Sequence, residues 1–266
     1  NPSEEDFESK VAEINDIATN LPNVDKYFML VPNSTKILED KLPSYAPNGD
    51  ELYYIDKVGD NLDKDIQFVD VYNVLQSNRE KYIYYKTDHH WTTRGAFLAY
   101  RELMQEMEIV PRDEKYYEIQ MFSDSFYGSL YSKSGSRGVG PDTIELYIPK
   151  SSEEIRVEYL EEGSVANSLY DMDSLDKKDK YTVFLGGNHP LIKIESNANT
   201  TDKLLILKDS YANSFIPFLT SHFSKIYVVD PRYYDEDLNH IIEDEGIDNL
   251  LILYNVKTFF EQNDAR

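Results

Sequence analysis

Asp88, His89 and His90 stand side by side in YYKTDHHWTTRG (84–95), in a chain that holds five histidines in all. In an extended segment, residues two apart project to the same side, so Asp88 and His90 are expected to face one cleft while His89 points away. A carboxylate that orients an imidazole makes a general base, and a serine hydroxyl needs one because almost none of it is alkoxide at neutral pH. Ser210 is the serine in a suitable setting. LLILKDSYANSFIPF runs from an apolar strand into Asp209-Ser210 and on into an expected helix. Backbone N–H groups of a first helical turn suit an oxyanion, and Asn213 offers either a side-chain donor or a cap. Serine at that position also fits a plain N-cap.

Two other readings of the Asp-His-His cluster stand beside the catalytic one. Asp and His are the usual ligands of a divalent metal in a protein without cysteine. The segment also reads as structural, with Asp88 capping the next helix and Trp91 anchored in the core. Metal phosphoesterases with such a cluster bring further aspartates from earlier strand ends, for which Asp70 is a candidate here. The Trp91-Thr92-Thr93 continuation does not suggest that class.

These residues need a frame that brings positions 88–90 and 210 together. The C-terminal third supplies its outline: YTVFLGG (181–187), LLILKDS (204–210), KIYVVDP (225–231) and LLILYN (250–255) are short apolar runs ending in polar or turn residues. LIKIES (191–196) adds a strand, and ANSFIPFLTSHF (212–223) and DEDLNHIIEDEG (235–246) read as helical spacers. Apolar strands alternating with helices mark a mainly parallel sheet covered on both faces. Chemistry in such sheets gathers at the carboxyl ends of strands, where Gly186-Gly187-Asn188, Asp209-Ser210 and Asp230-Pro231-Arg232 all fall.

Upstream, residues 4–18 place Phe7, Val11, Ile14 and Ile17 at helical spacing, and YFMLVPN (27–33) reads as a buried strand. LPSYAPNGDELY (42–53) reads as a loop entering a short helix, IQFVDVYNV (66–74) as a strand and its exit, and KYIYY (81–85) as another strand. After Trp91 a helix is expected, capped by Thr92 or Thr93. Residues 123–180 are rich in Ser, Gly, Asp and Glu, with β-prone pieces at 143–149 and 154–160. They read as a loop-rich, partly β insertion within a single domain over 1–266, placed to shape a substrate cleft.

Composition narrows the partners. The 266 residues suffice for one large α/β domain. The net charge of −22 repels phosphate backbones and argues against nucleic acid. The absence of cysteine excludes disulfides, thiolate metal sites and a cysteine nucleophile. Tyrosine supplies much of the hydrophobic share, 22 residues against 12 Phe and 1 Trp, and its amphipathic ring suits the wall of a polar cleft as well as a core. No run approaches the ~20 apolar residues of a membrane span. An upstream signal or anchor segment, outside the sequence in hand, is expected.

TDHHWT followed far downstream by LKDSYANSF resembles the DHHW protein family of bacterial extracytoplasmic proteins, which is similar to the SGNH-like alginate O-acetylation proteins. FYGSLYSKSG (126–135), FLGGNHP (184–190) and VVDPRYY (228–234) add to the likeness, which covers residue 80 to the C-terminus and, more loosely, the N-terminal part. The resemblance implies an SGNH hydrolase-like three-layer α/β/α sandwich with a permuted triad order, Asp-x-His preceding the serine. Carried over by position, Ser210 is the nucleophile, His90 the base and Asp88 the orienting acid. The Gly-Asp-Ser block appears as Lys208-Asp209-Ser210, lacking its glycine, and Gly-x-Asn-Asp has no clean copy. Asn188, Asn213 and Gly187 are the stand-ins for oxyanion or substrate binding, with Tyr211 and Arg232 as further binding candidates, although for Arg232 a salt bridge to an acidic neighbour is the first expectation. His189 and His222 are read as structural.

The activity this implies is serine-dependent acyl transfer without a cofactor or metal, as an O-acetyltransferase or acetylesterase on a cell-surface or secreted polysaccharide. A glycan acceptor and a membrane acyl-donor protein are the implied partners. The alternative is a catalytically degenerate protein that keeps the fold and binds polysaccharide or cell wall.

Overall fold

The computed structural model describes residues 2–135, 138–151 and 153–261. Helix α1 (Glu4–Asn20) starts at Ser3, whose hydroxyl accepts from the Asp6 N–H while the Asp6 carboxylate accepts from the Ser3 N–H, a capping box. The helix buries Phe7, Val11, Ile14 and Ala18. Strand β1 (Asp25–Val31) follows, then α2 (Ser34–Ile37), α3 (Glu51–Asn61), β2 (Ile66–Phe68), α4 (Tyr72–Ser77) and α5 (Thr93–Glu106). The middle of the chain forms β3 (Tyr117–Phe126), α6 (Ser129–Ser134), β4 (Asp142–Pro149), β5 (Ile155–Tyr159) and β6 (Ser164–Ala166). The C-terminal part holds β7 (Leu191–Ser196), β8 (Lys203–Lys208), β9 (Lys225–Val229), α7 (Asn239–Glu245), β10 (Asn249–Asn255) and α8 (Val256–Glu261).

Eight strands build the main sheet in the order β2-β1-β10-β8-β9-β7-β5-β6. The five from β2 to β9 are parallel, and the last three add antiparallel. Alternation along the central strands gives the sheet two apolar faces. Leu204, Ile206, Val228, Leu251 and Leu253 pack with α5 and the segment after Ser210. Leu205, Leu207, Tyr227, Val229, Leu250 and Ile252 pack with α1, α7 and α8. The result is the expected three-layer α/β/α sandwich with a mainly parallel sheet. β3 and β4 form a separate antiparallel ribbon, whereas β5 and β6 extend the edge of the main sheet.

Three segments differ from their sequence patterns. KYIYY (81–85) is not a strand; a lone antiparallel bridge joins Tyr84 to Trp91. Ile83, Tyr84 and Tyr85 are all buried, and the chain doubles back through bonds from Thr92 N to Ile83 O and from Tyr85 N to His90 O. YTVFLGG (181–187) holds a 3₁₀ turn over Lys180–Val183. Positive φ angles at Leu185, Gly186 and Gly187 (61°, 74° and 107°) then turn the chain out of any extended path. The spacer 212–223 holds two 3₁₀ turns, Ser210–Ser214 and Ile216–Phe218, instead of an α-helix. Pro217 cannot donate an α-helical hydrogen bond, and every residue from Tyr211 to Thr220 is buried, so the segment threads the core without a solvent face.

Helix α5 carries the residues that follow the Asp-His-His cluster, and its first turn is pressed against that loop. Thr92 caps it, its Oγ1 accepting from Gly95 N at 3.3 Å. A Cβ at Gly95 would lie 2.4 Å from the carbonyl oxygen of Ile83. Alanine is a better helix former than glycine by about 1 kcal/mol, yet here the backbone must move. Gly95→Ala is therefore expected to lower stability by ~1–3 kcal/mol in thermal or denaturant melts; a melting temperature at or above that of the parent protein would show that the loop yields freely.

Candidate active site

Ser210 follows β8 at its carboxyl end, and the bend at 86–90 comes to meet it. His90 Nε2 lies 2.8 Å from Ser210 Oγ, where the hydroxyl can donate its proton to the ring. On the other side of the ring, His90 Nδ1 lies 2.5 Å from Asp88 Oδ1. Asp88 and His90 are buried and Ser210 is half-buried. Asp88 Oδ1 also accepts from the His90 backbone N–H at 3.0 Å, and Oδ2 accepts from Ser129 N at 2.8 Å. The residues meet because an aspartate caps its own turn two residues on, not because the segment is extended. For the same reason His89 does not turn away. Its ring sits 3.8 Å from that of His90, exposed, with Nδ1 2.6 Å from Ser129 Oγ.

Burial pushes the Asp88 carboxyl up. The hydrogen bond from His90, the charges of both imidazoles and the Ser129 N–H outweigh it, holding the group well below the usual carboxylate range. Desolvation and the neighbouring His90 push His89 down to about 4, so it is neutral at pH 7. The ligand atoms of Asp88, His89 and His90 lie within 4.8 Å of one another, close enough for one cation. Each is already engaged: the Asp88 oxygens by N–H groups, His90 Nδ1 by Asp88 and His89 Nδ1 by Ser129. A metal bound through His90 Nδ1 would have to displace Asp88 from it.

Three neighbours that sequence patterning passed over hold the pair in place. Tyr181 lies flat on the His90 ring, centroids 3.8 Å apart and planes 8° from parallel, with its hydroxyl 3.1 Å from both the Ser210 carbonyl oxygen and Ser214 Oγ. It was hidden because 181–187 reads as an ordinary strand. Asp142, at the start of β4, accepts from Thr87 N and Thr87 Oγ1 at 2.7 and 2.5 Å and from Lys86 N at 3.0 Å, pinning the bend from below. A single aspartate ahead of a β-prone run carries no such signal. Gly128 sits so close to Asp88 that a Cβ there would lie 2.3 Å from both Asp88 Cβ and Oδ2. Its motif, FYGSLYSKSG, was the available hint.

The turn that carries Ser210 is fastened separately. Asp209, not Ser210, is its N-cap: Oδ1 accepts from Tyr211 N and Oδ2 from Asn255 N, each at 2.9 Å. Burial raises the Asp209 carboxyl and these N–H groups offset part of the rise. Trp91, fully buried, donates its indole N–H to Tyr211 O at 3.0 Å and Ser214 Oγ at 3.1 Å, tying the Asp-His-His segment to the serine turn. A five-residue 3₁₀ turn does not present the row of free N–H groups expected of a helix. The Tyr211 and Ala212 N–H groups bond to Asp209, which leaves that of Ser210 without a partner among the described residues.

Of the remaining expected binding residues, Asn213, Gly187, Asn188 and Arg232 are linked in one network around Lys208 next to the serine turn, and Tyr211 is not. Asn213 Nδ2 donates to Gly187 O at 3.2 Å and to Asn188 Oδ1 at 3.0 Å, so both its hydrogens are engaged within the protein. The Asn188 amide nitrogen has no partner among the described residues, and Asn188 is exposed. Lys208 Nζ reaches Asn188 Oδ1, Asn213 Oδ1 and Asp230. Arg232 grips Asp230 through Nε at 2.8 Å and Nη2 at 2.6 Å, the salt bridge to an acidic neighbour expected of it. Tyr211 is buried, its hydroxyl donating to His89 O, and no polar atom of it is free for a substrate. His222 bonds Tyr100 and His189 bonds Glu162, away from the serine.

Solved structures share this architecture. A DHHW family protein from Eubacterium siraeum aligns over 97% of this chain and 86% of its own, at 25% identity and a TM-score of 0.85. PatB1 of Bacillus cereus aligns over 100% of this chain and 93% of its own at 24% identity and a TM-score of 0.83; a structure of PatB1 with a sulfonyl adduct gives 0.82. The O-acetyltransferase domain of Pseudomonas putida AlgJ aligns over 99% and 88%, at 13% identity and a TM-score of 0.61. No curated protein sequence matches the chain. The fold is SGNH hydrolase-like. A family profile described as DHHW protein matches residues 3–229, and with the Asp-His-His-Trp segment and the serine turn in one site, the chain belongs to the DHHW protein family.

Proposed function

We propose that the protein transfers acetyl groups through Ser210, with a polysaccharide hydroxyl as the acceptor. The observation that carries this reading is the unbroken proton path from Ser210 Oγ through His90 to Asp88, with links of 2.8 and 2.5 Å. In the first half-reaction Ser210 Oγ attacks the acetyl carbonyl carbon while its proton passes to His90 Nε2. The leaving group departs with that proton, and the acetyl ester of Ser210 remains. In the second, His90 takes the proton of a sugar hydroxyl whose oxygen attacks the ester, and Ser210 recovers its hydrogen. Water in place of the sugar gives the esterase reaction. The Ser210 N–H and the Asn188 amide are the donors assigned to the oxyanion, Asp88 stabilises the imidazolium, and no metal or cofactor is required.

A groove of about 420 Å³ supports a glycan acceptor. Tyr127 and Tyr131, with rings 4.4 Å apart, line it together with Ser125, Ser132, Lys177 and Lys178. It lies between α6, whose Ser129 holds Asp88, and the segment leading into Tyr181. Aromatic faces and hydroxyls are what a sugar ring packs against. The AlgJ domain supports acetyl as the transferred group, and the sulfonyl adduct on PatB1 is what a reactive nucleophile would give. The protein is assigned to the cell exterior, where such acceptors lie, with a signal or anchor segment upstream and a membrane acyl-donor protein as partner. No helix among the described residues is long and apolar enough to cross a membrane.

Steady-state turnover of a chromogenic acetyl ester tests the reading. Ser210→Ala and His90→Ala should each reduce kcat/KM by ~10³-fold or more, and intact mass should show an acetyl adduct on the parent protein that Ser210→Ala lacks. Turnover that survives in either variant refutes the assignment. A chelator should leave the rate unchanged; its loss on chelation and return with a divalent ion would favour the metal reading of the same cluster. Gly128→Ala, whose added methyl would press on the Asp88 side chain, should displace Asp88 and lower kcat by ~10²-fold, with thermal melts checking that the fold persists.

A further inference from the structure

Lys208 occupies the place where the common nucleophile block has glycine, two residues before Ser210, and it is 0% exposed. It shares the parity of Leu204 and Ile206, so it points to the face of the sheet that carries the serine turn. A lysine in such a place is costly unless every ammonium hydrogen has an acceptor. Here all three do: Asn188 Oδ1 at 2.9 Å, Asn213 Oδ1 at 2.9 Å and Asp230 Oδ2 at 3.3 Å. Asp230, also 0% exposed, is clamped from the far side by Arg232.

The chemistry of this arrangement fixes more than charge. An asparagine amide has two ends of similar shape and opposite hydrogen-bonding character. An ammonium group can only donate, so it selects the oxygen of each amide it touches. With both oxygens turned to Lys208, the Asn213 nitrogen must point to Gly187 O and Asn188 Oδ1, as it does. The Asn188 nitrogen is left facing away, with no partner among the described residues, on an exposed residue beside the serine turn. Were the amide reversed, its oxygen would meet the developing negative charge and oppose it.

We propose that Lys208 is a positioning residue for acyl transfer: it locks the Asn188 amide with its nitrogen outward, as a hydrogen-bond donor to the oxyanion formed when Ser210 attacks. The inference rests on the acyl-transfer reading and deepens it. It explains why a buried cation stands so near the nucleophile without touching the reacting atoms, and why the Lys208–Asp230–Arg232 chain is kept at the strand ends.

A double-mutant cycle on acetyl-ester turnover tests it, with Lys208→Met, Asn188→Ala and the double variant measured beside Ser210→Ala. Lys208→Met and Asn188→Ala should each lower kcat by ~10–100-fold, with KM within about threefold of the parent. The double variant should be no slower than the slower single one, because Lys208 acts through Asn188. A kcat for Lys208→Met equal to that of the parent, or effects that multiply in the double variant, overturns the inference while an inactive Ser210→Ala keeps the acyl-transfer reading standing. Full activity in Ser210→Ala overturns both. Thermal melts report folding; should Lys208→Met fail to fold, Lys208→Met/Asp230→Asn, which removes the stranded carboxylate, replaces it throughout the cycle. Asn188→Asp, a surface change that puts an oxygen where the donor stood, should be as slow as Asn188→Ala.

Discussion

An imidazole and a hydroxyl share a proton only when their heavy atoms stand ~2.6–3.2 Å apart, and in this chain the two groups belong to residues 120 positions apart. Neither lies within regular secondary structure of the rigid kind: one sits in a bend, the other in a short 3₁₀ turn. The distance therefore depends on what fastens each loop and what fastens them to each other. Trp91 provides the direct tie, its ring buried and its N–H shared between Tyr211 O and Ser214 Oγ. Tyr181 adds a second by covering the His90 ring while its hydroxyl reaches the Ser210 carbonyl.

The anchors come from separate parts of the fold, and each answers an electrostatic need. Asp209 joins the serine turn to the end of β10 through the Asn255 N–H, so Ser210 is registered against the parallel sheet itself. Asp142 joins the bend to the small β3–β4 ribbon, and the Ser129 N–H orients the free oxygen of Asp88. Three buried carboxylates within one site would repel one another and resist burial if left bare. Each is met by backbone N–H groups, which supply compensation without a mobile counter-ion. The same logic governs Lys208 and Asp230, whose burial is tolerable because Arg232 and two amides complete the network.

This division of labour accounts for where side chains that look functional in the sequence come to rest. Arg232 holds Asp230 through Nε and Nη2, and the Tyr211 hydroxyl holds the His89 carbonyl. Among the described residues the Ser210 N–H and the Asn188 amide nitrogen beside them have no partner. A site that stabilises charge by preorganised donors needs a rigid surround more than many contacts, and most of the polar residues here serve that surround.

The sequence by itself marked a mainly parallel sheet and singled out the three residues that now stand in one hydrogen-bonded row. Strands β8, β9 and β10 were legible because each is buried on both faces and reads as an unbroken apolar run, and Asp88, His90 and Ser210 because their types are rare together and stand at element ends. What only the tertiary structure decided is how those residues meet. The pairing of Asp88 with His90 comes from a turn rather than an extended strand, and the segments 81–85, 181–187 and 212–223 look like regular elements but are bent by tertiary contacts, helped at 186–187 and 217 by glycine and proline. The contacts of Tyr181 and Asp142, and those that the motifs around Gly128 and Lys208 left unspecified, were illegible for the same physical reason. Their importance lies in distances to residues remote along the chain, and a single sequence records residue types and spacing, not the packing that brings them within hydrogen-bonding reach.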